Sequence, residues 1–443
     1  MKILFLDVYK KSHSRISKDT AGGYGTENDL GDGIIGKALS FLIKRTVFWP
    51  NLSFIQLLQE FESRGHSCHY HKQVGSEIKF NCEYDMIFIC SSIVCFETEI
   101  EAVNELQKKV SCPIFLCGSV AKHIQHKVPS NTQVLSGNYE FLLEYLELEG
   151  RSILSPFDNQ FFTVPNGTPE NLSYINWNRK DLPSNKNFIL GARSNFFPFL
   201  STRGCPYSCF EYCTYPTSQG RKVLHESEES IVEKFKKLCL DYKKPHVVFR
   251  DPVFSINLKK TKALLKKIGD SNLSMEFSAE LHLNNIDDEF LELCKYANVK
   301  WLKFGIESAV PEVRDSVNRY SIENDEQKMI INKLRAANIK TVGMFILAQP
   351  EDTKATCEET INYACNLGLD IAQFSIFTPY PGTPHYLKVY DEMNFEKYQN
   401  INQFDLVYNH PILSKSHTRK LLEKAYIKFL LSKFKRIFTR LFS

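Results

Sequence analysis

STRGCPYSCFEYCTYP, residues 201–216, places Cys205, Cys209 and Cys213 within nine residues of one loop, directly after the apolar run FFPFL. A disulfide between two of them leaves one thiol over. A structural zinc site wants a fourth ligand close by. None of Cys239, Cys294, Cys357 or Cys365 forms a partner motif with the three. Most [4Fe–4S] clusters have four cysteine ligands. Three thiolates on such a cluster leave one iron open, and a cofactor or substrate can chelate it.

Working outward, a strand–helix rhythm repeats six times between residues 196 and 392. The strand-like runs are FFPFLSTRG, HVVFRD, SMEFSAEL, VKWLKFGIES, KTVGMFIL and DIAQFSIFT. Six units fall short of the eight that close a (β/α) barrel, so a partial barrel, open on one side, is predicted. Chemistry in such folds sits at the strand C-terminal ends. The three-cysteine loop follows the first strand, where that rule puts it. Arg250 and Asp251 end the second strand, Glu280 and His282 the third, Glu307 the fourth and Gln349 the fifth. Arg250 and Gln349 are read as substrate-binding, and Asp251 and His282 as catalytic. A histidine suits proton transfer near neutral pH, and a buried amide such as Gln349 needs a polar partner that a hydroxylated substrate supplies.

Residues 1–150 also alternate strands and helices, with continuous apolar strands such as MIFIC and PIFLC. That pattern predicts a doubly wound parallel sheet covered on both faces, with ligands beyond the strand C-termini. A long insertion after the first strand carries AGGYGTENDLGDG. Its glycines allow close backbone approach to a ligand, or it is an ordinary surface loop. Cys68, Cys82, Cys90, Cys95, Cys112 and Cys117 lie in or beside apolar runs and are read as core thiols. Residues 151–195, rich in Pro, Asn and Ser, read as a linker. Residues 393–443 form a C-terminal helical region. Its basic, aromatic tail either docks on the barrel or lies on a membrane surface.

The 443-residue chain is 43% hydrophobic and carries a formal charge of +4, too little to argue for nucleic acid. No apolar run is long enough for a membrane span. An apolar start ending in basic residues is the reverse of a signal peptide, and a cytoplasmic protein is expected.

RGCPYSC-x3-C, followed by FRDPVF, FSAEL, FGIES, FILAQPEDT and FTPYPGTP, resembles the radical S-adenosylmethionine (SAM) superfamily. More narrowly, the chain looks like the branch with a cobalamin-binding-type domain before the barrel. The resemblance implies a [4Fe–4S] cluster on Cys205, Cys209 and Cys213. SAM would then be held at the open iron, with Tyr212 against adenine, Glu280 on the amino group and Glu307 on the ribose or methionine part. An external low-potential electron donor follows from it. Two departures stand out. The family's common C-x3-C-x2-C is here C-x3-C-x3-C. That spacing, with CTYP and QGRK, is similar to a small subset typified by the aminoglycoside-pathway dehydratases acting on paromamine. In addition, no Asp-x-His-x-x-Gly follows a strand in residues 1–150, so a lower cobalt ligand is missing and cobalamin is possible but not favoured. The expectation is therefore radical dehydration of a sugar-like or other polyhydroxylated small molecule, with a possible partner reductase. Cobalamin-dependent radical methylation is the alternative, and a non-catalytic scaffold is a third class.

Overall fold

The computed structural model describes residues 1–442 except 45–48, 80–82, 154–158, 183–185, 190 and 191. Cys82 lies outside the described residues. The architecture is α/β, with two parallel sheets. The first has six strands in the order Ser67–Val74, Lys2–Tyr9, Met86–Cys90, Ile114–Cys117, Gln133–Gly137 and Phe161–Val164. All its pairings are parallel. Met86–Cys90 and Ile114–Cys117 are buried at every residue, as strands with helices on both faces must be. The sequence reading missed Ser67–Val74 because an edge strand with polar alternation carries little apolar signal.

The second sheet has six parallel strands, Ala192–Phe199, His246–Phe249, Glu276–Leu281, Val299–Glu307, Lys340–Leu347 and Ile371–Ile376. Lys186–Ile189 adds an antiparallel edge. This is the expected partial barrel. Phe277, Ala279 and Leu281 are buried, and Phe277 meets Phe235 of an outer helix at 5.5 Å. The alternate residues, Glu276, Ser278 and Glu280, therefore face the lumen. Side-chain caps set the helix starts on the outer layer. Asn257 accepts from Lys260 N, Asp287 from Phe290 N, and Thr353 closes a capping box with Thr356.

Residues 151–195 differ from the linker reading. Phe161–Val164 extends the first sheet, and Lys186–Ile189 the second. One hydrophobic core runs from Phe5 and Phe88 through Leu200 to Phe277 and Phe345, so the two sheets share their interior. Cys68, Cys90, Cys95 and Cys117 are buried and free, as the apolar runs implied, while Cys112 is half-buried.

The insertion after the first strand lies over the C-terminal ends of the first sheet. Its Lys18 donates to Cys90 O at 3.0 Å and pairs with Asp7 and Glu99. The helix Lys415–Phe442 docks on the barrel's last strand, where Tyr426 Oη donates to Phe374 O at 2.8 Å and accepts from Phe374 N. No helix among the described residues is long and apolar enough to cross a membrane.

Candidate active site

The cysteine loop is built on glycine. Gly204 has φ 83°, and a Cβ there would lie 2.1 Å from Lys222 O, so only glycine allows the close return of the chain. Cys205 N donates to Gly220 O at 3.0 Å and Gly204 N to the Gln219 side chain at 3.1 Å. A short 3-10 turn, Ser208–Glu211, carries Cys209, and Cys213 N donates back to Cys209 O. Asp251 fixes the loop's base. Its Oδ1 accepts from Ser201 Oγ at 2.8 Å, from Thr202 Oγ1 at 2.7 Å and from Thr202 N.

The three thiols lie within electrostatic reach of one another. Cys213 and Cys209 interact directly, and each also feels Cys205 or Arg319. Interaction with Cys213 and then the Arg319 guanidinium bring Cys209 down to about 6, while burial pushes Cys205 up to about 11. Among the described residues no group of three His, Cys, Asp or Glu side chains converges on a single ion. A cubane does not ask for that, since each thiolate binds a different iron. The donor set, all sulfur with an adjacent guanidinium, suits an iron–sulfur cluster.

Glu307 reaches this loop because of a local distortion. The strand register shifts between Gly305 and Glu307, and Glu307 adopts φ 66°. A left-handed backbone at a non-glycine residue is costly and concentrates at functional positions. Burial raises the Glu307 carboxyl to about 7, opposed by Arg319 3.6 Å away. Arg319 donates to Gly305 O at 2.6 Å and to His282 Nε2 at 3.1 Å, and its Nε has no hydrogen-bond partner among the described residues. Tyr212 lies over Phe377, with ring centroids 5.6 Å apart, and interacts with both Glu307 and Arg319.

The structure thus gathers Cys205, Cys209, Cys213, Tyr212, Glu307 and His282 around Arg319, a residue the sequence reading did not single out. Glu280 faces the lumen one strand away. Arg250 does not stand free for substrate. It pairs with Asp19 of the insertion at 2.9 Å and donates to Asp19 O. Three other expected site residues lie as follows. Asp251 faces the loop's backbone and hydroxyls rather than the barrel mouth. Burial and then Arg319 lower the His282 pKa to about 3, and its Nε2 faces the Arg319 guanidinium at 3.1 Å. Gln349 is fully buried, its Nε2 donating to Ile346 O at 3.3 Å, and its Oε1 has no hydrogen-bond partner among the described residues.

A cavity of about 50 Å³ lies between the two sheets. One wall is Ser91, Gly118, Ser119, Gly137 and Asn138 at the strand ends of the first sheet. The other is Tyr215, Ser218 and Arg250 beside the cysteine loop. Gly118 and Gly137, at φ 143° and 76°, keep the strand ends bare. The Gly-rich part of the insertion closes the side. Thr214 Oγ1 donates to Ala21 O at 2.7 Å, and Gly22 and Gly23 line the cavity.

The comparisons agree with this arrangement. Residues 199–364 match the family model of the radical SAM superfamily. An uncharacterised methyltransferase of Pyrococcus horikoshii is 28% identical over 242 residues, 52% of this chain and 50% of that protein. The bacteriochlorophyllide d C-12(1)-methyltransferase of Chlorobaculum tepidum is 26% identical over 211 residues, 46% of each chain. The chain thus spans about half the length of these two curated relatives. Among solved structures, the radical SAM methyltransferase TsrM of Kitasatospora setae, with cobalamin and a [4Fe–4S] cluster bound, superposes with a TM-score of 0.63 at 13% identity. That match covers 97% of this chain and 88% of the other. The cobalamin-dependent enzyme OxsB gives 0.56 at 12% identity, covering 97% and 56%. At such identities the likeness is one of fold.

Proposed function

We propose that this chain, a radical SAM protein through residues 199–364, makes a 5′-deoxyadenosyl radical and uses it to methylate a carbon of a small-molecule intermediate. The observation that carries the reading is the shared cavity, walled on one side by the cysteine loop region and on the other by bare strand ends of the first sheet. A cluster on the three thiols would supply the electron that splits SAM into methionine and the radical. Around it, Cys205, Cys209 and Cys213 are the ligands, and Arg319 offsets their negative charge. Glu280 and Glu307 would accept from the SAM ammonium and from its ribose or methionine part, as carboxylates do. Tyr212 and Phe377 offer an apolar face for adenine. The electron donor is an external low-potential protein.

The relatives named as methyltransferases favour methylation over the dehydration expected from the cysteine spacing. A corrinoid would supply the methyl group. The small residues Ser91, Gly118, Ser119 and Gly137 suit its approach. The fit is partial, because the cavity holds less than a whole corrinoid and Lys18 fills the crevice between the Lys2–Tyr9 and Met86–Cys90 strands. Those two observations, with C-x3-C-x3-C, keep dehydration as the second reading.

Anaerobically purified, reconstituted protein decides between them. Methylation requires retained cobalamin and release of both S-adenosylhomocysteine and 5′-deoxyadenosine with substrate. Release of 5′-deoxyadenosine alone, with a product lighter by one water, would overturn methylation in favour of dehydration.

A further inference from the structure

We propose that the outer faces of two adjoining helices, Ile34–Lys44 and Lys415–Phe442, form a surface that binds an anionic lipid bilayer.

The first helix is apolar on both sides. Gly36 and Ser40 are buried, and Leu39 and Ile43 pack against the core. Ile34, Ile35, Phe41 and Leu42 stand on the opposite side and are all exposed, Ile34 at 89%. Their spacing is that of a single helical stripe. A helix that is apolar all round is ordinarily covered all round. Here the protein covers only the inner face.

The second helix repeats the arrangement. Leu422, Ala425 and Phe429 are buried, and Tyr426 fastens this part to Phe374 of the barrel. Further along, Leu431, Phe434 and Phe438 follow one another at steps of three and four, on the face opposite Leu422, Ala425 and Phe429. All three are exposed, Leu431 at 65%. The two helices meet where Glu423 accepts from Gly33 N and Gly36 N. Exposed apolar surface concentrated in this way marks an interaction site.

Charge names the occupant. Neither Ile34–Lys44 nor residues 424–443 contain an Asp or Glu, while both are rich in Lys and Arg. The acidic groups nearby are already matched, Asp29 and Asp32 by Arg419 and Glu358 by Lys424. Lys44, Lys428 and Lys433 donate to neutral oxygens, those of Ser12 O, the Asn362 side chain and Asp370 O. Lysine is depleted from protein–protein interfaces, whereas anionic headgroups attract it. Leu and Phe on one side of a helix with Lys beside them is the composition of a helix that lies in the plane of the headgroups. No helix among the described residues is long and apolar enough to cross the bilayer, so contact is with its surface.

The test is co-sedimentation of the full-length protein with vesicles. Pure phosphatidylcholine is compared with an equal mixture of phosphatidylcholine and phosphatidylglycerol. The parent should sediment with the mixed vesicles and stay in solution with the neutral ones, and added sodium chloride should weaken its retention. Phe434→Glu and Leu42→Glu, both at exposed positions, should each weaken partition at least about tenfold, as the loss of one buried Phe or Leu would. Leu240→Glu, at an exposed apolar position on the helix Glu228–Asp241, should leave partition unchanged. Circular dichroism confirms the fold of each variant. Absence of the parent from the mixed vesicles overturns the proposal, as does equal retention on neutral ones. Undiminished retention by either folded variant overturns the surface. A parent dimer that Phe434→Glu dissociates, without vesicle binding, gives the face to a second copy of the chain instead.

Discussion

Lys18 Nζ lies 3.0 Å from the Asp7 carboxylate, and neither side chain has any exposure. Glu99, also fully buried, approaches the same ammonium at 2.8 Å. Burial opposes the lysine's charge, but the two carboxylates outweigh it and raise its pKa well above the ordinary value. In doubly wound sheets the crevice at the point where strand order reverses is the usual ligand site. Here that point lies between Lys2–Tyr9 and Met86–Cys90, and the chain's own cation occupies it.

Removing that cation leaves two buried carboxylates without their partner. Lys18→Met should lower unfolding stability by about 3–5 kcal/mol, the cost of breaking a buried pair. Urea unfolding monitored by fluorescence measures it. A change below about 1 kcal/mol would show that water already reaches the site.

Cluster assembly gives the second expectation. After anaerobic reconstitution the chain should hold about four irons and four sulfides, as for a [4Fe–4S] site. Cys205→Ala, Cys209→Ala and Cys213→Ala should each lose the visible absorbance. Cys239→Ala, from a helix outside the loop, should keep it. Stoichiometric zinc in the parent protein would contradict the assignment.

Asp251 links stability to pH. Burial raises its carboxyl from 3.8 to about 6. A group whose folded pKa lies above its unfolded one contributes stability that is full below 3.8 and lost as pH rises through 6. Asp251→Asn keeps the acceptor for Ser201 and Thr202 without the charge. Between pH 4 and 7 the parent should therefore lose on the order of 2–3 kcal/mol relative to the variant. Denaturation midpoints at the two pH values check this, and parallel curves would show that Asp251 ionises freely.

His282 gives the fourth. Its ring, held near 3 by burial and then Arg319, should stay neutral from pH 5 to 8. In specifically labelled, cluster-free protein its ring resonances should not shift over that range. His282→Gln preserves an acceptor for Arg319 and should be milder than His282→Leu, which strands a buried guanidinium N–H at a cost of about 1–3 kcal/mol. A ring that titrates between 6 and 7 would restore the acid–base role.

The cysteine loop, the six barrel strands and Glu307 at the end of its strand were legible because each is written locally, in spacing and apolar rhythm. What escaped the sequence was set by partners far away in the chain. Lys18 reads as a solvent-facing loop lysine until Glu99 and Asp7 are brought beside it. Arg319 follows a helix without any motif, and a hydrogen bond to Gly305 O holds it at the bulge of the neighbouring strand. Gln349 has the right position at a strand end, but a tight turn holds it. Asp352 accepts from Gln349 N at 2.9 Å and donates its own N–H to Gln349 O at 2.8 Å.

The helix Lys415–Phe442 is clasped to residues 29–36 of the insertion. Glu423 accepts from Gly33 N and Gly36 N, and Arg419 pairs with Asp29 and Asp32. Chains emerge from the ribosome N-terminus first, and domains tend to fold as they appear. The segment that covers the first sheet therefore waits, lacking these clasps, until the helix Lys415–Phe442 has been made. A chain cut short before residue 415 would complete both sheets and still leave the 29–36 segment without its anchor.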